Sequence, residues 1–171
     1  TWDLEVLFAT RAEYETALTK MEADVAEFAE TFTGALNNAE VIVEAIKAYE
    51  AIQTQVSVLY HYANLPAATD LTNADYTQMA GQFDNKMATV SATLSFFDSE
   101  LTQVPEEILD EVVEIEPLYA SFIRHTKADK HIQLTPEVEK ALAQLSPTLH
   151  APESIYDQAK LADMDFGTFT V

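Results

Sequence analysis

Apolar residues along this chain recur every three or four positions, the spacing that lines one face of an α-helix. The first run is Tyr14, Leu18, Met21, Val25, Phe28 and Phe32. Thr10 with Glu13 reads as a capping box before it, in which each side chain satisfies an orphan donor at the helix start. Gly34 supplies a C-terminal stop. The second run is Ile42, Ala45, Tyr49, Ile52, Val56, Leu59 and Ala63, after a second capping pair, Asn37 and Glu40. Pro66 is expected to end that helix, or to end it one residue earlier. Thr72 with Asp75 opens a third run: Tyr76, Met79, Phe83, Met87, Val90, Leu94, Phe97 and Leu101. Gly81 inside it costs ~1 kcal/mol relative to Ala, which packing must offset. At ~1.5 Å per residue this helix is about 40 Å long. Long amphipathic helices joined by short polar connections predict antiparallel packing.

The second half is more broken. Pro105, Pro117, Pro136 and Pro152 each suit the first turn of a new, shorter helix, where the missing N–H is no loss. Thr135 before Pro136, with Glu137 and Glu139 behind it, is a good helix start with acids at the positive dipole end. Leu142 and Leu145 are then expected to face inward. Phe166-Gly167-Thr168-Phe169-Thr170-Val171 alternates like a strand. A lone strand is not stable, so the chain is expected to stop within an element. The expected fold is all-α: three long antiparallel amphipathic helices, then several shorter ones, with a β-strand beginning at the C-terminal end. Residues 1–165 would form the helical domain and residues 166–171 the start of a β-hairpin or linker.

Composition narrows the function classes. Three glycines and six prolines in 171 residues favour helices over a turn-rich β architecture. The absence of cysteine excludes disulfides and thiolate chemistry and fits a reducing compartment. No run of 18 apolar residues exists to span a membrane, and no signal peptide is recognisable. With 29 acidic against 9 basic residues, the net charge of −20 repels nucleic acid and anionic lipid. Such a surface is ordinarily solvated, though it also suits a basic partner.

Candidate chemistry is sparse. The histidines are His61, His125, His131 and His150, and none belongs to a His-Glu-x-x-His helix, which would set two zinc ligands and a general base on one face. His125 and His131 are six apart, a spacing that does not align on a helix. Glu106-Glu107 and Asp163 with Asp165 are neighbouring acids. General acid/base work needs carboxyls at a defined separation in different environments, and Glu106-Glu107 stands where a helix start favours acids anyway. Glu40, Glu44 and Glu50 read as solvated surface. Tyr49, Tyr60 and Tyr62 are able to place hydroxyls in a cleft, but no pattern selects them. No Gly-x-Ser-x-Gly, phosphate loop or dinucleotide fingerprint occurs. No catalytic, cofactor-binding or metal-binding residue is therefore assigned in this segment.

Three stretches point to a family. One is the opener Trp2-Asp3-Leu4 through Leu7-Phe8-Ala9-Thr10. Another is Leu94-Ser95-Phe96-Phe97 with Glu100-Leu101 and Pro105-Glu106. The most specific is Leu134-Thr135-Pro136-Glu137 through Leu145-Ser146-Pro147, then Ala151-Pro152-Glu153-Ser154-Ile155-Tyr156 and Ala162-Asp163-Met164-Asp165-Phe166. Together they resemble the N-terminal segment of the oligoendopeptidase F branch of the thimet-type zinc metallopeptidases. The resemblance spans the whole chain. It implies a largely helical, cytoplasmic, zinc-dependent endopeptidase that cuts short peptides within a deep channel. The N-terminal segment would form part of the channel wall and restrict substrate size. Zinc, held by His-Glu-x-x-His and a later Glu, would lie downstream in a C-terminal catalytic domain, the expected partner of this segment. No residue here matches that motif, so no catalytic or zinc role carries over, and the segment alone is expected to be inactive. The alternative reading is a freestanding acidic helical-bundle binding module.

Overall fold

The structure, a computed structural model, describes residues 3–130 and 136–164. Among them every regular element is helical, and no strand occurs. The alternating residues 166–171 lie outside the described residues, as do Trp2, His131, Thr135 and Asp165.

The first helix, α1, spans Arg11–Phe32. Its capping box forms as expected on one side: the Glu13 N–H donates to Thr10 Oγ1 at 3.2 Å. The Glu13 carboxylate reaches back to the N–H of Ala9, at 3.0 Å. Tyr14, Leu18, Met21, Val25 and Phe28 are buried. Beyond the helix, Gly34 adopts φ +71°, the left-handed conformation that a side chain disfavours.

Helix α2 spans Ala39–Thr69. Its cap is Asn38, one residue later than Asn37, and Asn38 Oδ1 accepts from the Val41 N–H at 2.9 Å. Pro66 does not end it. Proline forfeits its own N–H bond and crowds the carbonyl of the preceding turn, yet the helix continues three residues beyond it and its final turn closes on the Pro66 carbonyl. That oxygen accepts from Thr69 Oγ1 at 2.7 Å and from the Asp70 N–H at 3.2 Å.

Helix α3 spans Ala74–Leu101. Asn73, rather than Thr72, is its cap, accepting from the N–H groups of Asp75 and Tyr76. Thr72 turns away and donates to Asp70 at 2.6 Å. Met79, Phe83, Val90, Leu94, Phe97 and Leu101 are buried as the stripe requires, whereas Tyr76 is exposed at its end.

The contacts fix the directions. Tyr14 stacks on Tyr62, Gln55 donates to Asp24 at 2.8 Å, and Phe28 meets Tyr49. Residues early in α1 therefore pair with residues late in α2, an antiparallel arrangement. Tyr60 with Phe83 and Tyr49 with Phe97 give the same relation between α2 and α3. Helices α1 and α3 consequently run parallel, tied by the Lys86–Glu22 ion pair. Phe28, Tyr49, Phe96 and Phe97 form the aromatic centre of the core. Each fully buried large side chain in it contributes roughly 1.5–3 kcal/mol.

Helix α4 spans Glu106–Ile115, and Leu109 and Val112 seat it on α2. Pro105 occupies its cap position, and Pro117 opens a single 3-10 turn, Pro117–Tyr119. Tyr119 Oη donates to Glu50 across this junction at 3.0 Å. Helix α5, Ala120–Asp129, buries Ile123 and Thr126.

Helix α6 departs furthest from expectation. It runs unbroken over Pro136–Gln158, with Pro147 and Pro152 inside it, so Pro152 does not begin a new helix. A π turn, Ala159–Asp163, follows. Packing along α3 holds the helix together across both prolines. Leu142 and Leu145 are not buried in the core: they are 43% and 51% exposed, although Leu142 borders a groove against α2 and α3.

Candidate functional site

Helices α2, α3 and α6 enclose a groove of about 770 Å³. Its floor is α3, through Phe83, Met87, Val90 and Leu94. One wall is α2, through Tyr49, Gln53, Val56, Ser57 and Tyr60, and the other is Leu142 and Ala143 of α6. The floor is the inward stripe of α3 continued to its margin. The groove is therefore apolar below, with polar groups along its rim: Ser91, Ser95, Asp84 and Asp98. A second concavity of about 880 Å³ continues it along α6, bounded by Asn64, Gly81, Ser146, His150, Glu153 and Asp157. The near part of α6 shares the first groove with the far end of α3, and its later residues share the second with earlier α3 residues. Helix α6 thus runs antiparallel to α3.

Electrostatically the groove is acidic. Burial raises the Asp84 carboxyl above the usual range. Tyr49 is raised as well, first by burial and then by the negative charge of Asp98. Asp84 had no signal in the sequence: it follows Phe83 on the stripe's margin, and only the arrival of α6 makes that margin a rim.

Among the described residues the histidines do not converge. His61 donates from Nδ1 to the Ser57 carbonyl at 2.6 Å on the exposed side of α2. His150 does the same with the Ser146 carbonyl at 2.8 Å on α6, and His125 is exposed on α5. Glu106 and Glu107 lie in the first turn of α4, where Glu106 pairs with Lys127 at 3.8 Å. Glu40, Glu44 and Glu50 are all exposed, and Glu50 also accepts from Tyr119. Tyr49 and Tyr60 line the groove, and Tyr62 stacks with Tyr14 and Phe8 away from it. Among the described residues no group of three His, Cys, Asp or Glu side chains is placed to hold a metal ion. No helix among the described residues is long and apolar enough to cross a membrane.

The fold and groove define a class: an all-helical domain with a concave, acidic-rimmed face and no converging set of catalytic side chains among its described residues. Comparison with known proteins shows what this domain resembles. The model of the oligopeptidase F family matches residues 100–166. An oligoendopeptidase F homolog of Borreliella burgdorferi is 28% identical over 169 residues, covering 97% of this chain and 28% of that protein. The plasmid oligoendopeptidase F of Lactococcus lactis subsp. cremoris is 25% identical over 96% of the chain. The crystal structure of oligoendopeptidase-F from Enterococcus faecium superposes with a TM-score of 0.83 at 23% identity, covering 92% of this chain and 31% of that one, and establishes the shared fold. Over nearly its whole length the chain is therefore similar to proteins of the oligoendopeptidase F type. It spans little more than a quarter of the length of the curated relatives it matches.

Proposed function

We propose that this chain is the channel-wall domain of a zinc-dependent endopeptidase that hydrolyses oligopeptides, and that its shape restricts the length of peptide admitted. One observation carries the reading: an alignment over 97% of the chain accounts for only 28% of an oligoendopeptidase F homolog. The parent's chemistry then resides elsewhere, and this segment contributes form. Three long helices with Phe83, Phe97 and Leu101 locked in their core give a stiff flank. The groove between α2, α3 and α6 gives that flank a concave side. On this reading residues 1–165 are assigned to that helical domain and 166–171 to the start of a β-hairpin or linker toward the catalytic domain. Zinc belongs to that domain, the working compartment is the cytoplasm, and the segment alone does not hydrolyse peptides. A freestanding binding module is not favoured, because the match runs across nearly the entire chain.

The test is a peptide-length series cleaved by the parent with and without residues 3–164. Loss of discrimination between short and long peptides is expected. Unchanged relative rates would contradict the reading.

A further inference from the structure

Helix α6 meets α3 through small and polar residues, among them Ala143, Ser146 and His150. Beside that face runs a second one of large apolar side chains, with Leu142 at its edge against the groove. Val138, Leu142, Leu145 and Leu149 follow at helical spacings of four, three and four, and are 43%, 43%, 51% and 67% exposed. Tyr156, two turns further on, extends the stripe and is 58% exposed. At ~1.5 Å per residue the stripe is about 27 Å long. In α1 and α3 residues of this kind are buried: Met21, Phe83, Phe97 and Leu101 are at most 2% exposed. A continuous apolar face of this length on a solvent-facing helix marks an interaction surface.

We infer that this face of α6 is the surface on which the remainder of the parent polypeptide packs, through an apolar face of its own. The inference rests on the reading of the chain as the first part of an oligoendopeptidase. Two observations select that occupant. The relatives carry most of their length outside the region matched here, so a covering segment is at hand in the same molecule. The family model matches residues 100–166, which contain the whole stripe. A second copy of this chain is disfavoured by charge, since each copy carries −20. The stripe then has a physical role in the parent. It joins the helical flank to the rest of the enzyme along one edge of α6, with Leu142 at the border between the stripe and the groove.

The test is carried out in the parent polypeptide, with any cysteines outside this segment replaced. Single cysteines are introduced as L145C, L149C and, on the exposed side of α1, T16C. Maleimide labelling rates are measured in the native protein and again in urea. Protection of at least about ten-fold is expected at positions 145 and 149 and little at position 16, independent of protein concentration. Labelling at 145 and 149 as fast in the native as in the unfolded protein would overturn the inference. Protection that grows with protein concentration would also overturn it, by assigning the face to a second copy. The length-selectivity assay is independent of labelling, so a failed channel-wall reading and a failed docking surface are told apart.

Discussion

The backbone N–H of Gly34 donates to both carboxylate oxygens of Glu100, at 2.8 and 3.1 Å. The two residues are 66 positions apart, at the ends of the parallel helices α1 and α3. A carboxylate on a backbone N–H is among the stronger classes of hydrogen bond. Glu100→Ala leaves that donor to water and loosens the end of the bundle. A loss of about 1 kcal/mol is expected in urea unfolding, with Glu100→Gln losing less. Equal stability of all three proteins would show that the contact contributes nothing.

Two glycines give opposite predictions for the same substitution. Gly34 has φ +71°, and although a Cβ there meets nothing within 4 Å, the backbone conformation itself is strained for an L-residue. Gly34→Ala is expected to cost about 1 kcal/mol. Gly81 lies in mid-helix, and its Cβ also meets nothing within 4 Å. Gly81→Ala is expected to gain about 0.5–1 kcal/mol from helix propensity. Thermal midpoints moving in the same direction for both variants would refute this account.

Ser99 is 1% exposed, and its Oγ finds no hydrogen-bond partner among the described residues. Burying an unsatisfied hydroxyl is unfavourable. Ser99→Ala is therefore expected to be neutral or to stabilise by up to about 1 kcal/mol. Phe97→Ala, two residues away at the aromatic centre, should lose about 3–5 kcal/mol. Destabilisation by Ser99→Ala beyond about 1 kcal/mol, measured by urea titration, would reveal a partner for that hydroxyl.

Much of this was legible in the sequence, and the misses share a cause. The stripes of α1, α2 and α3 were readable because each buries its own periodic residues against the other two. The caps at Asn38 and Asn73 were misplaced by one residue each, since Asn37 and Thr72 offer the same chemistry beside them. The continuation past Pro66 depends on Thr69 and Asp70 closing the last turn. The span of α6 across Pro147 and Pro152 depends on contact with α3, which no local pattern records. The periodicity of Leu142 and Leu145 shows that they share a face. It does not show what that face meets. The groove shows the same limit, because Tyr49 and Tyr60 line it only through the position of α6.

Tyr14 sets a prediction in pH. It is 4% exposed, and burial, opposed in part by the nearby positive charge of Arg11, pushes its phenol up to about 12. A phenol whose folded pKa exceeds the unfolded value contributes stability that is whole below about pH 10. That contribution is lost as the pH rises through about 12. Tyr14→Phe is expected to remove a late component from the tyrosinate absorbance titration, between pH 10 and about 12. A difference titration centred at the ordinary phenol value would show that Tyr14 is solvated.

The central claim is that this chain is part of a peptidase whose chemistry lies elsewhere in the polypeptide, and the nucleotide sequence following the codon for Val171 tests it most directly. The account predicts an open reading frame that continues long enough to make the protein more than three times the length of this chain, as in its relatives, and that encodes a His-Glu-x-x-His motif. A stop codon directly after Val171, or a long continuation without that motif, would contradict it.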